Sequence, residues 1–358
     1  MKSIERVTRK RMIMKNKISK LLPSKKADEP VKPLVNATVE DHRERVLETG
    51  RKFKYPIQYS KHKMLINAII VGVVVLGLFT LFSWFMLYKQ QTVSDFYYTA
   101  TRAIPIPVAE VDGESVRYGD YMRRLRASIY YLEKQENRVL GGEDGQRELI
   151  YTRRFNMNEA QRVAFAQKIA REHKLSVSDE EIDANVQTTL HSGSGAKISE
   201  KAYETSLWRY YGWSMSDYRQ IVRDSLLMRK ASFAIDKSAE SRIKDIKGQL
   251  DRGADFATLA RQVSEDASTK DNGGDVGAVN ITDLDPDGLV AKAKSMSVGQ
   301  VSSSIQGVDA WYIIILTDKN DNTVRYSLIK IGLSEFNKQF DVMRKDGKIR
   351  EFIEIDAK

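Results

Sequence analysis

Cysteine is absent from this 358-residue chain, which removes disulfides, thiolate metal sites and cysteine nucleophiles together. Histidine is nearly as scarce. His42, His62, His173 and His191 lie far apart, and none follows residue 191. Their spacing assembles neither a metal cluster nor a Ser–His–Asp arrangement, so the expectation is no metal, no cofactor and no hydrolytic chemistry. Of the seven prolines, Pro23, Pro30 and Pro33 make residues 23–60 read as loose linker. What the chain does have is ordinary: 42% hydrophobic and 30% charged residues, which excludes a wholly disordered polymer. The length leaves room for two globular units plus extras.

Charge is unevenly placed. Residues 1–63 hold eighteen Lys and Arg against seven Asp and Glu, whereas residues 64–358 are close to neutral. Met64 to Tyr88 contains no charge at all, and Lys61, Lys63 and Lys89 bound it. As a helix this run is about 38 Å long, against a hydrocarbon core of about 30 Å. Trp84 and Tyr88 sit near one end, where amphipathic rings favour the headgroup zone. The expectation is therefore one transmembrane helix over 64–88, with the basic tail 1–63 cytoplasmic and largely disordered, and the remainder outside. A cleavable signal fits less well, because the basic lead is long and no small-residue cleavage site follows; the span reads as an uncleaved anchor. Two readings of the tail stand open: a solvated positive-inside flank, or a contact with anionic lipid. Nucleic acid is not expected, since no aromatic-interleaved basic pattern occurs.

Beyond the span, residues 89–107 read as a linker. VAEVDGESVRYGDY (108–121) reads as two short strands around Asp112-Gly113, entering a helix that carries Tyr121, Leu125, Ile129 and Leu132. Residues 139–147 read as a loop and HSGSGAK (191–197) as another. Ser178–Glu181 is a capping box, and helices are expected at 199–210 and 216–234. Trp208, Tyr210, Tyr211 and Trp213 form either a peptide-binding surface or helix-junction packing. Residues 108–235 thus read as a helical domain. From 236 the pattern changes. Ala239, Ile243, Ile246 and Leu250 mark a helix that Gly253 stops, and Asp255 caps the next one. A turn at Asn272-Gly-Gly-Asp275 leads to a short strand, and a helix is expected over 285–296. Strands are expected at 301–305, 310–317 and 324–331, with a last helix near 334–345. The whole reads as α+β, with helices on a small antiparallel sheet over 236–358.

Three separated blocks, GADFATLARQVSEDASTKDNGGDVGAV (253–279), MSVGQVSSSIQ (296–306) and AWYIIILTDKN (310–320), resemble the parvulin family of peptidyl-prolyl isomerases. The preceding VAEVDGESVRYGDY, VSDEEID (177–183) and YGWSMSDYRQIVRDSLL (211–227) resemble the chaperone domain of SurA- and PrsA-type foldases. The resemblance implies an extracytoplasmic chaperone at a bacterial cytoplasmic membrane, with unfolded or secreted polypeptides as clients. It also implies rotation about X–Pro bonds, whose barrier is ~18–20 kcal/mol because amide resonance must be broken. In parvulins two histidines and a Cys or Asp surround the amide, and Met or Leu with Phe lines a slot for the ring. Position by position, Asp266 matches the Cys/Asp site and Tyr312 stands where the second histidine belongs. Leu289 falls at the slot Phe, and Leu284 at the Met/Leu position one residue out of register. Asp266 and Tyr312 are thus the expected catalytic residues, with Asp266 alternatively a brace for the Asn272-Gly-Gly turn, and Leu284, Leu289, Met296 and Trp311 the expected substrate-binding ones.

The first histidine's strand is missing before the domain. VRYSLIKI (324–331) resembles that strand but comes after the last one. Either it fills the vacant place from the carboxyl end, as in a circular permutation, with Leu328 at the histidine position, or it is an ordinary edge strand or the start of a truncated second repeat. Three functions follow: a tethered chaperone with lost or weakened catalysis, an isomerase with a rebuilt site, or an envelope component bound to one fixed partner.

Overall fold

The computed structural model describes residues 36–54, 59–191, 197–283 and 285–355. They form two compact units that divide between Gly77 and Leu78. Helix α1 (Asn36–Lys54) occupies part of the tail that reads as linker in the sequence. Positions 1–35 of the tail, and most of the loop expected at 191–197, lie outside the described residues. Helix α2 (Tyr59–Trp84) carries the apolar run and passes into a π-helical turn, Phe85–Lys89. Its most apolar stretch has a mean hydropathy of 2.7 with no residue buried, so it is long and apolar enough to cross a membrane.

The second unit starts earlier than the sequence suggests. Leu87 is buried, Met86 and Tyr88 pack against the same core, and the Tyr118 hydroxyl donates to the Leu87 carbonyl at 2.5 Å. Residues 89–107 are not a linker. Helix α3 (Asp95–Ala103) buries Tyr97 and Thr101 against the body. Tyr97 and Thr101 are four apart and share one helix face. Gly119 makes the close approach possible, since a Cβ there would lie 2.7 Å from the Thr101 carbonyl oxygen.

Strands β1 (Pro107–Val111) and β2 (Glu114–Arg117) follow, turning at Asp112 and Gly113, both at positive φ. Helix α4 (Tyr118–Lys134) buries Tyr118, Tyr121, Met122 and Leu125, the i, i+3, i+4, i+7 stripe of a core-facing helix. Helix α5 (Gly142–Glu172) runs through the second half of the stretch expected as a loop at 139–147. Helix α6 (Asp179–His191) opens on the capping box: the Ser178 N–H donates to Glu181 Oε2 at 2.9 Å and the Glu181 N–H to Ser178 Oγ at 3.3 Å. Helices α7 (Glu200–Tyr211) and α8 (Met215–Ile235) complete the bundle, and Asp217 and Ser214 cap α8 reciprocally.

A four-stranded antiparallel sheet forms next. Helix α9 (Lys237–Asp251) buries all four of its apolar residues, and α10 (Phe256–Val263) is capped by Asp255, which accepts from the Thr258 N–H at 2.8 Å. Strand β3 (Asp275–Asn280), helix α11 (Leu289–Lys294), and strands β4 (Ile305–Gln306), β5 (Ala310–Lys319) and β6 (Thr323–Gly332) follow. The helix expected over 285–296 is shorter, because Gly288 at positive φ starts it late. The strand expected at 301–305 shrinks to an isolated pairing of Val301 with Ile315 plus β4.

Sheet order is β3-β6-β5-β4. Although β6 is last in sequence, it lies between β3 and β5, the place the permuted arrangement requires, and so is no edge strand. Leu328 pairs opposite Ile314.

Residues after Gly332 do not stay with that sheet, which corrects the single unit expected over 236–358. Helix α12 (Glu335–Lys345) packs Phe336 and Phe340 onto Phe165 of α5, with ring centroids 4.8 and 5.9 Å apart. Strand β7 (Ile349–Glu351) pairs with β1, and Ile353 and Ile355 are buried in the helical core. The four-stranded unit is inserted into the helical body.

Asp236 ties the two crossings together. Its carboxylate accepts from the Ala239 N–H at 2.9 Å where the chain enters α9, and from the Ser334 and Glu335 N–H groups at 2.8 and 3.0 Å where it returns. Burial opposes the charge, yet these three donors hold the carboxyl below its ordinary pKa. Asp236→Ala is expected to lower unfolding stability by about 2–4 kcal/mol, since hydrogen bonds to a charged group contribute more than neutral ones. A depressed folded pKa contributes stability that is present above the unfolded carboxylate pKa and lost as pH falls through the folded value. Urea midpoints measured from neutral pH into acid check both: the variant should start lower and show a shallower acid loss.

Candidate functional site

Alternation along β5 and β6 decides which residues share a face. Tyr312, Ile314 and Leu316 of β5 and Val324, Tyr326 and Leu328 of β6 pack with Leu289, Val290, Ala293 and Met296 in one apolar cluster. Tyr312 pairs across the strands with Lys330. Its hydroxyl donates to Asp287 Oδ2 at 3.2 Å, and the Lys330 ammonium stands 5.7 Å from its ring centroid. Asp287 also accepts from the Val308 N–H at 2.7 Å, while Lys330 pairs with Asp309 at 3.4 Å. Burial pushes the Tyr312 phenol well above its ordinary pKa, and the Asp287 charge adds to the shift. The Tyr312 phenol therefore stays protonated, with its hydroxyl facing Asp287.

Asp266 serves its own loop. Its carboxylate accepts from the Ser268 hydroxyl at 3.0 Å and the Thr269 hydroxyl at 2.5 Å, and its carbonyl from the Lys270 N–H at 2.9 Å. The loop feeds Gly273 and Gly274, both at positive φ, and a Cβ on Gly274 would collide with the Leu328 carbonyl oxygen. Asp266 is close enough to raise the Tyr312 phenol further, but the hydroxyl bonds Asp287.

The structure brings Tyr312, Leu289 and Met296 together. Leu289 is 5% exposed, Met296 2% and Tyr312 4%, so these side chains are core. Trp311 goes to the opposite face, packing edge-on against Phe233 with centroids 5.1 Å apart. Leu284 lies outside the described residues. Sequence reasoning missed Asp287 and Lys330. The alternation of 324–331 would have placed Lys330 on the face of Leu328, but nothing local marks Asp287 as the partner of a tyrosine twenty-five positions on.

The loops that Asp287 and Asp309 hold form one wall of a groove. Two adjoining cavities of about 770 and 930 Å³ run between residues 285–288 and 306–309 on one side and α6, α8 and α12 on the other. Ile221, Met228, Phe336, Pro286 and Val308 supply apolar lining, and Asn185 and Arg229 polar lining. A second apolar feature is the aromatic cluster. Trp208 is 63% exposed, while Tyr211 packs between Tyr131 and Trp213 with centroids 6.0 and 5.2 Å away. Trp213 is a junction residue, donating from Nε1 to the Arg123 carbonyl at 3.2 Å.

Comparison with known proteins covers both parts of this architecture. Residues 58–232 match the SurA-like N-terminal domain family, and residues 226–318 match the PPIC-type PPIase (rotamase) domain family. The chain is 42% identical over 82 residues to the foldase protein PrsA 2 of Bacillus cereus, covering 23% of this chain and 28% of that protein. It is 36% identical over 107 residues to the chaperone SurA of Methylobacillus flagellatus, covering 29% and 24%. Against the foldase protein PrsA of Clostridium acetobutylicum it is 21% identical over 244 residues, covering 58% and 68%. The matched segment thus spans about a quarter of the first two relatives. The two matched domains, SurA-like and then PPIC-type, together span residues 58–318, and the relatives they lead to are foldases and chaperones of the PrsA and SurA types.

Proposed function

We propose that this protein is a membrane-anchored extracytoplasmic chaperone that holds extended apolar segments of unfolded or secreted clients in the groove between its helical body and its parvulin-like sheet. The carrying observation is the reuse of the second-histidine position. Tyr312 is closed into the core and, with Lys330, fixes through Asp287 and Asp309 the loops that wall the groove. A donor pinned to a structural carboxylate cannot favour a twisted amide over a planar one, which is what acceleration of X–Pro rotation needs. Client holding needs only accessible apolar area and tolerant hydrogen bonding, and the groove offers both. The isomerase fold serves here as a wall.

Membrane attachment through the apolar helix from Met64 up to the residues that enter the body at Met86 is supported by its apolar length and by the excess of Lys and Arg before it. That arrangement keeps the basic tail inside, in reach of anionic lipid, and the folded body outside a bacterial cytoplasmic membrane.

Charge placed in the groove tests the reading. In the pair Ile221→Asp and Met228→Asp, both positions are only partly buried, so the fold is expected to survive. Each loses an apolar contact and adds a desolvation cost, and the two together should raise the concentration needed to suppress client aggregation roughly tenfold. Light scattering of a denatured client diluted into each protein reads this directly. Suppression equal to the unaltered chain would move the client site elsewhere, with the exposed Trp208 cluster the next place to test.

A further inference from the structure

The short helix α3 is unexplained by client binding, and its outer face leaves an aromatic side chain largely exposed. Tyr97 and Thr101 face the core, and the Tyr98 hydroxyl donates to Asp217 Oδ1 at 2.5 Å, with Arg102 and Arg123 beside the same carboxylate at 3.7 and 3.4 Å. These contacts lock α3 to α8. Phe96 points the other way and is 61% exposed.

The position of Phe96 along the apolar helix is what matters. Met86, Leu87 and Tyr88, in the π-helical turn Phe85–Lys89, are built into the body. The chain then reverses, with Gln91 at positive φ and the Thr92 N–H donating to the Met86 carbonyl at 3.1 Å. The reversal brings the Phe96 ring edge-on to Phe79, with centroids 6.5 Å apart. Phe79 lies seven residues before Met86, about 10 Å back along the apolar helix. Phe79, Phe82, Trp84 and Phe85 are all exposed on that stretch, an aromatic belt of the kind found at bilayer interfaces. The one acidic neighbour of Phe96, Asp95, is paired with Arg126.

We propose that α3 is an interfacial helix: Phe96 inserts into the outer leaflet of the bilayer that carries α2, and so holds the body against the membrane at a fixed orientation. The proposal rests on the membrane-anchored reading. Its occupant is lipid because the Phe96 ring continues the exposed surface of the apolar helix itself. Such helices seat their apolar side about 5–10 Å into the headgroup and acyl boundary.

The chain's lack of cysteine permits a direct test. Phe96→Cys, Leu78→Cys and Trp208→Cys, each at an exposed position, are spin-labelled singly in the full chain and reconstituted into vesicles of phosphatidylethanolamine and phosphatidylglycerol. Power-saturation EPR then compares accessibility to oxygen, which partitions into lipid, with accessibility to a water-soluble nickel chelate. A thermal melt by circular dichroism shows that each labelled chain is folded. The expected result is oxygen dominance at 78 and 96 and nickel dominance at 208. Nickel dominance at 96 with oxygen dominance at 78 would overturn interfacial insertion and leave the anchor standing. Nickel dominance at 78 as well would overturn both.

Discussion

A chain stopped after Gly332 is expected to lose its helical body, although the deleted residues lie nearly a hundred positions beyond it in sequence. The deletion removes Phe336, Phe340, Ile353 and Ile355, all at most 4% exposed, and with them strand β7 from its pairing with β1. Burying side chains of this kind contributes about 1.5–3 kcal/mol each. Four of them amount to much of the 5–15 kcal/mol that a domain typically has in total. Polar losses add to this. Gln161 and Arg154 of α5 both donate to the Glu351 carboxylate, at 2.8 and 2.7 Å, and would be left without it. Asp236 would keep its α9 cap but lose both return contacts. Circular dichroism melts of the full and shortened chains in detergent measure the result, which should be loss of the cooperative transition of the helical body. Retention of that transition at an unchanged midpoint would mean that α12 and β7 decorate the body without completing it.

That dependence was not legible in the sequence, and the reason is physical. Phe336 and Phe340, four apart, announce a buried helix face but not the surface that buries it, and Phe165 is 171 positions away. Local pattern did better where the cause is local. The stripe Ala239, Ile243, Ile246, Leu250 and the caps at Ser178 and Asp255 each rest on neighbours within a few residues, and the structure has them as read. The inner place of β6 came from its likeness to a strand usually found earlier, because two-residue alternation alone says nothing of strand order. Helix α3 escaped notice for the opposite reason: nine residues give only two inward positions, Tyr97 and Thr101, too few for a period to show. At the site, position-by-position matching offered Tyr312 and Trp311 together, although adjacent residues on a strand face opposite ways and the two pack in different clusters.

The second large effect expected is an absence of catalysis in a domain whose family is named for it. Uncatalysed X–Pro rotation takes tens to hundreds of seconds, so an active isomerase is easily detected against it. Leu328, matched by resemblance to the first histidine, is a buried apolar side chain, and Tyr312, matched to the second, has its hydroxyl bonded to Asp287. Asp266, the remaining match, spends its carboxylate on Ser268 and Thr269. Among the described residues, Tyr312 and Asp266 already have hydrogen-bond partners, and Leu289, matched to the slot, is core. The rate should stay within about twofold of the uncatalysed one at micromolar protein.

The most direct measurement follows one client in one experiment: refolding of a proline-limited protein, with the full chain in nanodiscs added at increasing ratio, read for both light scattering and the slow folding phase. The account predicts that scattering falls as chaperone is added while the slow rate constant does not change. A slow phase that accelerates in proportion to the added chain, and loses the acceleration in Tyr312→Phe or Asp266→Ala, would contradict it and make the buried tyrosine part of a working isomerase.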